Sequence, residues 1–240
     1  MILEVDAGNS SIKWRIVNGS ATLARGSVTH EPRAWTPMLA GAGTLFRVRV
    51  SNVCGAELEQ SLRRWVRQHT GLNIEVAVSG PSMAGVTNGY EKPEKLGVDR
   101  WLAVLAAWNS VASPCVVVDA GTTVTVDFIG ARGMHLGGYI VPGEQMMYRA
   151  LFSGTNGVRF EAGPCDSHQP GRDTGEAVQH GCRLMIEAMV ARSLSWLQEK
   201  EGAATLVLTG GGAGWLLPVF RKNTHHIPDL VLDGLGYALP

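Results

Sequence analysis

The chain has 240 residues, of which 45% are hydrophobic and 18% charged, so it is long and apolar enough for one large domain or two medium ones and is not disordered. Lys and Arg together number 21, as do Asp and Glu, so the formal net charge is zero. Without a global basic field, nucleic acid and anionic membranes are poor candidate partners. No apolar run approaches the length of a membrane span, and the four cysteines form no C-x-x-C pair, which predicts a cytoplasmic protein with reduced thiols.

The first half predicts three strands joined by tight turns, followed by alternating strands and helices. Asn18-Gly19 is a strong hairpin signal, and residues 80–97 form a long Gly-, Pro- and Asn-rich loop of the kind that usually carries function. The predicted strands are Met1–Val5, Ile12–Val17, Ala21–Thr29, Leu45–Asn52 and Asn73–Ser79, and the predicted helices are Glu57–His69 and Asp99–Val111.

The second half repeats this order after Ser113-Pro114, which predicts domains 1–113 and 114–240. Each domain is expected to be a mixed α/β sheet with helices on its faces. Residues 153–173 look irregular. The predicted strands are Cys115–Asp119, Thr123–Ile129, Met134–Ile140 and Ala204–Thr209, with helices at 144–152, Gly175–Lys200 and from the Gly210 region to about Lys222, then a short strand and a terminal helix within 225–240.

One motif occurs in both halves at corresponding places. Val5-Asp6-Ala7-Gly8-Asn9-Ser10 leaves an apolar strand and enters an alternating one, and Val118-Asp119-Ala120-Gly121-Thr122-Thr123 does the same. Two copies of V-D-A-G-[NT]-[ST] indicate a duplication. We expect the two turns to face each other across a cleft between the domains, a common place for a ligand.

The chemistry of these turns suits a phosphate. Glycine allows the backbone to approach closely, and the turns supply hydroxyls together with Lys13. Asp6 and Asp119 suit a cation that bridges the phosphate. One such motif alone is an ordinary turn. Two copies, with a third glycine turn at Thr209-Gly210-Gly211-Gly212, favour nucleotide binding.

Together these motifs resemble the phosphate and adenosine motifs of the acetate-kinase, sugar-kinase, Hsp70 and actin superfamily. The short length and three further motifs resemble type III pantothenate kinase across nearly the whole chain: Asn88-Gly89-Tyr90, Gly97-Val98-Asp99-Arg100 and Gly137-Gly138-Tyr139-Ile140-Val141-Pro142-Gly143. The resemblance implies two tandem ribonuclease-H-like domains. It also implies ATP-dependent phosphorylation of pantothenate to 4′-phosphopantothenate, the first step of coenzyme A synthesis.

The resemblance assigns roles to individual residues and implies a homodimer. It implies Mg²⁺ with ATP and a monovalent cation, K⁺ or NH₄⁺, at Asp119. The residues implied for ATP are Asp6, Ala7, Gly8, Asn9, Ser10, Ser11, Ile12, Lys13 and Thr122; those implied for pantothenate are Tyr90, Gly97, Val98, Asp99, Arg100 and Thr174.

Several of these residues also have a purely structural interpretation. Asp99 is a candidate general base for the primary alcohol, but at the predicted start of a helix it is also a candidate N-cap; the resemblance favours the base. Arg100 pairs either with the pantothenate carboxylate or in a surface salt bridge. Tyr90 contacts ligand or packs in its loop, and Asp119 holds a cation or accepts from backbone donors.

Three functional alternatives remain open at the sequence level. The superfamily architecture also serves as a non-enzymatic, nucleotide-binding regulatory module. A kinase for another small alcohol and a phosphatase of the exopolyphosphatase group are enzymatic rivals. A regulator would not need Gly97-Val98-Asp99-Arg100 together with Tyr90, and this chain has both.

Overall fold

The computed structural model describes residues 1–41, 43–163, 165 and 169–240, and the chain forms two compact units. The first unit comprises Met1–Ala112, Arg132–His135 and Asp229–Pro240, and the second comprises Ser113–Ala131 and Leu136–Pro228. The predicted domains, 1–113 and 114–240, stay a prediction. The predicted second domain, however, extended to residue 240, whereas two of its segments belong to the first unit.

The strands and helices are numbered in chain order. The strands are β1 (Ile2–Ala7), β2 (Ile12–Asn18), β3 (Ala21–Val28), β4 (Arg47–Asn52), β5 (Ile74–Val76), β6 (Ser82–Met83), β7 (Val86–Thr87), β8 (Cys115–Ala120), β9 (Thr123–Ile129), β10 (His135–Pro142), β11 (Thr205–Thr209) and β12 (Thr224–His226). The helices are α1 (Ala56–Thr70), α2 (Val98–Val111), α3 (Glu144–Gly154), α4 (Thr174–Glu201), α5 (Ala213–Leu216) and α6 (Leu230–Ala238).

The first sheet has the strand order β3-β2-β1-β4-β5. The hairpin strands β1, β2 and β3 pair antiparallel, and β4 and β5 continue the sheet parallel to β1. Alternating side chains of β2, such as Trp14 and Ile16, enter a core that also takes Leu62 and Trp65 from α1. The period-2 pattern of β2 and the helical spacing of α1 therefore bury their apolar residues in one common core.

The second sheet repeats this topology with the order β10-β9-β8-β11-β12. β8 pairs antiparallel with β9 and parallel with β11, as β1 pairs with β2 and β4. Its core joins Val116 and Val118 of β8 to Ile186 and Val190 of α4. The α/β class and the duplication predicted from the repeated motif are confirmed.

The last helix, α6, packs against α2 in the first unit. Gly234 faces the α2 backbone so closely that a Cβ would overlap the Leu102 carbonyl. Arg15 donates to Asp233 at 2.6 Å and also to the buried Glu4 at 2.6 Å, so an ion-pair network ties α6 to β1 and β2. This return of the chain depends on contacts between residues that are distant in sequence, which is why a division by chain order misplaced it.

Two local predictions differ from the structure. The helix expected to reach about Lys222 ends at Leu216, because Pro218 follows and cannot continue a helical hydrogen-bond pattern. The loop 80–97 contains the short antiparallel pair β6 and β7. Among the described residues, none of the helices has the length and apolar character needed to cross a bilayer.

Candidate active site

The first acidic turn, Asp6–Lys13, connects β1 to β2. Gly8 N–H donates to the Ser11 carbonyl at 3.2 Å, which closes the turn between the paired residues Ala7 and Ile12. The Asp6 side chain is buried, whereas Asn9, Ser10 and Lys13 are exposed. The turn therefore presents a carboxamide, a hydroxyl and an ammonium group to solvent above a buried carboxylate.

Side chains from neighbouring segments hold this turn from behind. His30 Nε2 lies 2.8 Å from the Gly8 carbonyl oxygen, so this ring nitrogen is the donor. The Cys54 thiol donates to the same oxygen at 3.1 Å and to the Ala7 carbonyl at 3.3 Å. These contacts fix the backbone of Ala7 and Gly8 and leave the other side of the turn open.

Cys54 lies near two predicted site carboxylates, Asp6 and Asp99. Burial raises the pKa of the Cys54 thiol, and the negative charges of Asp6 and Asp99 raise it further. Because a carboxylate must be near a thiol to do this, both lie in the neighbourhood of Cys54. The structure thus brings the first acidic turn and the predicted catalytic residue to one place in the first unit.

Asp99 is not the N-cap of α2. The cap is Gly97, and Asp99 is the second helical residue, with its carboxylate accepting a hydrogen bond from Arg100 N–H at 2.8 Å. A Cβ on Gly97 would lie 2.7 Å from Asp99 Oδ1, so glycine leaves room for that carboxylate. The prediction that Asp99 is the N-cap is therefore wrong, although its carboxylate does accept a hydrogen bond within the first turn of the helix.

Arg100 and Tyr90 contact each other directly. Arg100 Nη1 donates to Tyr90 Oη at 2.7 Å, and the guanidinium carbon lies 5.7 Å from the centre of the Tyr90 ring. Arg100 is only 5% exposed, so the alternative of a surface salt bridge is wrong. Gly97, Val98, Asp99 and Arg100 lie together at the start of α2.

Asn88 organises the loop that carries Tyr90. Its Oδ1 accepts from Tyr90 N–H at 3.0 Å, while Nδ2 donates to the carbonyls of Gly80 at 3.1 Å and Pro93 at 3.2 Å. One buried amide therefore joins Tyr90 to Gly80 at the start of the long loop and to Pro93 near its end. The sequence marked Asn88 as part of a motif but did not indicate this role.

The sequence missed His135. No motif of the sequence analysis contains this residue, yet its ring is stacked on Tyr90 with 5.9 Å between ring centres. Its position two residues before the Gly137-Gly138 motif was the only signal that could have found it.

The second acidic turn, Asp119–Thr123, joins β8 to β9 in the second unit. Gly121 N–H donates to the Thr123 carbonyl at 3.0 Å, and the Thr122 side chain is exposed. Backbone segments pack tightly against this turn. Gly212 N–H donates to the Ala120 carbonyl at 2.7 Å, and a Cβ on Gly210 would overlap Asp119 Oδ1.

Thr174 is the first residue of α4, and its side chain is exposed. The helix is capped by Asp173, whose side chain accepts from Glu176 N–H at 2.8 Å. Thr122, Asp119 and Thr174 all belong to the second unit, whereas Tyr90 and Asp99 belong to the first.

Comparison with known proteins decides the family. The profile of the family described as type III pantothenate kinase matches residues 2–195. A Pseudomonas putida protein named type III pantothenate kinase is 39% identical over all of this chain and 99% of its own length. The chain belongs to the type III pantothenate kinase family. A relative with the same name from Azoarcus sp. is also 39% identical, over 98% of this chain and 89% of its own.

Solved structures show that the fold of this type III pantothenate kinase family member extends to more distant proteins. A Campylobacter jejuni protein provisionally named a Baf family transcriptional activator aligns with a TM-score of 0.62 at 20% identity, covering 98% of this chain and 95% of that one. A ROK family glucokinase from Streptomyces griseus aligns at 0.53 and 12% identity, covering 98% and 97%. These neighbours and the two identical sheet orders confirm tandem ribonuclease-H-like domains. The cleft between the domains stays a prediction.

Proposed function

We propose that this chain transfers the γ-phosphoryl group of ATP to the primary alcohol of pantothenate, giving 4′-phosphopantothenate for coenzyme A synthesis. The observation that carries the proposal is the convergence of Asp6 and Asp99 around Cys54. A phosphate-type turn and a carboxylate on the substrate segment belong together in a kinase. Family membership supplies the identity of the substrate.

ATP is proposed to enter as MgATP and to bind the first acidic turn. Phosphoryl transfer needs alignment and charge stabilisation more than covalent help, and the exposed side chains and open backbone of this turn can supply both. Ser10, Ser11 and Lys13 are the proposed phosphate contacts, within the stretch Asp6, Ala7, Gly8, Asn9, Ser10, Ser11, Ile12 and Lys13. Thr122 is proposed to contact ATP from the second unit.

Asp99 is proposed to accept the proton of the attacking hydroxyl. Its half-buried carboxylate stands at the start of α2 with room made by Gly97. Arg100 is proposed to bind the pantothenate carboxylate with Tyr90 beside it. A guanidinium has five N–H donors, so the bond to Tyr90 Oη is compatible with this role. Thr174 stays a proposed further contact to substrate.

Asp119 is proposed to hold the monovalent cation. Hard cations take oxygen ligands, and the Asp119 carboxylate lies beside the glycines of its own turn and of the turn after β11. When bound, the ion would offset the charge of the ATP phosphates.

A homodimer in the cytoplasm completes the proposal. Tyr139 and Ile140 on β10 and Leu184 and Met185 on α4 are large apolar side chains left exposed in the second unit, and such side chains suit a protein interface. All four cysteines are free, which suits a reducing compartment.

The test is ADP release by purified protein with MgATP and K⁺, measured with and without pantothenate. We expect release that depends on pantothenate and a product heavier than pantothenate by one phosphoryl group in mass spectrometry. ADP released equally without pantothenate, or none in either case, would instead favour the regulatory or alternative-substrate readings.

A further inference from the structure

We propose that His135 is a positioning residue that holds Tyr90 in place for pantothenate binding. This inference rests on the proposed function, because it concerns the substrate segment of the same site. His135 is 1% exposed and begins β10, yet it belongs with Arg132–His135 to the first unit.

The segment before His135 is fixed to the Tyr90 loop by backbone contacts. Met134 forms a parallel β-bridge with Thr87. Gly133 has a φ of +72°, and a Cβ there would overlap the Gly85 carbonyl. Only glycine allows this approach. The backbone contacts of Gly133 and Met134 therefore fix the position of His135 relative to the Tyr90 loop, independently of the His135 side chain.

The His135 ring then contacts the loop in two ways. Its Nδ1 lies 3.4 Å from Gly89 N, whose N–H donates to it, so Nδ1 carries no proton in this arrangement. Its face lies nearly parallel to the Tyr90 ring, with an interplanar angle of 20°. One side chain therefore holds both the backbone before Tyr90 and the aromatic ring itself.

Tyr90 in turn holds Arg100. Because Tyr90 Oη accepts from Arg100 Nη1 at 2.7 Å, a change in the position of the tyrosine ring moves the acceptor of a buried guanidinium. His135, Tyr90 and Arg100 thus form a continuous series of side-chain contacts. His135 lies at one end, and Arg100, which is proposed to bind the pantothenate carboxylate, lies at the other.

Two substitutions separate the two contacts. His135→Asn keeps an acceptor near the position of Nδ1 but removes the ring, whereas His135→Phe keeps the ring but removes the acceptor. The matched control is His69→Phe, since His69 is also stacked on an aromatic residue, Trp65, with 4.6 Å between ring centres, and its Nδ1 contacts the Trp65 carbonyl oxygen.

We expect both His135 variants to raise the KM for pantothenate by about threefold to tenfold, the usual effect of losing one stacking contact or hydrogen bond. The kcat and the KM for MgATP should change by less than about twofold, because Asp99 and the first acidic turn are untouched. His69→Phe should leave all three values at the wild-type level.

Hydrogen exchange of the Gly89 and Tyr90 amides gives a readout without substrate. The Gly89 amide should exchange faster in His135→Phe, which removes its acceptor, than in His135→Asn, which keeps one, and His69→Phe should exchange at the wild-type rate. The Tyr90 amide donates to Asn88 Oδ1, so faster exchange there reports loosening of the loop itself. Unchanged pantothenate KM and unchanged exchange in both His135 variants would overturn the inference, as would an equal loss of kcat. If the wild type shows no pantothenate-dependent turnover, the proposed function fails, and the exchange result alone then decides whether His135 positions Tyr90.

Discussion

The first acidic turn places four residues, Gly8 to Ser11, between the paired ends of its strands, whereas the second places three, Gly121 to Thr123. The first turn is held from behind by the side chains of His30 and Cys54. The second is held by backbone, with glycines pressed against it at residues 143, 210 and 212.

This difference shows how two copies of one motif diverge. The longer turn keeps an open backbone at Gly8, where a Cβ would meet nothing closer than the Ser11 carbonyl at 3.6 Å. The shorter turn has lost such room around Asp119. The copies thus share a strand topology and an acidic residue, and the first has free space at Gly8 and the carboxylate of Asp99 near the same cysteine, Cys54, as Asp6.

The largest expected effect concerns that second carboxylate. Asp99→Asn should lower pantothenate-dependent turnover by about 10²–10⁴-fold, the usual contribution of a general base. Stability should stay near that of the parent protein, because Gly97 caps α2 and the new amide oxygen can still accept from Arg100 N–H. Steady-state kinetics and thermal unfolding check both parts. The control is Glu94→Gln, an exposed change in the loop that precedes α2. Full activity in Asp99→Asn would remove Asp99 from the mechanism.

The same substitution in the two turns should give opposite results for stability. Gly210→Ala places a Cβ against Asp119 Oδ1 at a φ of +87°, so we expect the thermal midpoint to fall by roughly 5–10 °C. Gly8→Ala has room for its Cβ and should unfold within about 2 °C of the parent. Equal midpoints for the two variants would contradict the proposed difference in packing.

A third test concerns the cation. Replacing K⁺ with Na⁺ should lower the wild-type rate if Asp119 holds a monovalent ion, and Asp119→Asn should lower the rate in K⁺ and lose most of the difference between the two salts. The K⁺ concentration dependence of ADP release measures both. A wild-type rate that is the same in either salt would instead favour Asp119 as an acceptor for backbone donors.

The smallest expected effect tests the carboxylates around Cys54. Since the Asp99 charge helps to raise the pKa of Cys54, Asp99→Asn should lower that pKa and increase the thiolate fraction at pH 8. Alkylation of Cys54 should then be about two- to threefold faster by peptide mass spectrometry. Cys115 in the second unit is the internal control, because burial alone raises its pKa to about 12. Unchanged alkylation of Cys54 would mean that Asp99 is farther away than proposed.

The sequence predicted those parts of the fold that depend on local patterns. The alternation in β2 and β9 and the helical spacing in α1 each describe a face that must be buried, so they were found close to their true bounds. The repeated acidic motif predicted the duplication that the two sheets of equal strand order show. Residues 229–240 were misassigned because nothing near Gly234 in sequence indicates that it packs against Leu102.

The candidate site shows the same contrast between contiguous motifs, which the sequence reveals, and contacts between distant segments, which it does not. Residues within a motif, such as Asp99 and Arg100, were identified because the motif is contiguous. His135 and Cys54 were not, since each reaches its partner through a contact between segments more than 40 residues apart, 46 for His135 and Gly89. His30 and His135 are polar residues of a common type outside any motif, and a single sequence does not distinguish them from surface histidines.

The position of α6 has a consequence during protein synthesis. The helix that packs against α2 is translated only after the whole second unit, so the first unit, although it emerges first, lacks this packing partner until then. A nascent chain paused before residue 229 would expose the apolar face of α2 and leave Arg15 without its partner Asp233. We therefore expect the segment that carries Asp99 and Arg100 to reach its final order only after the second unit and α6 have been translated.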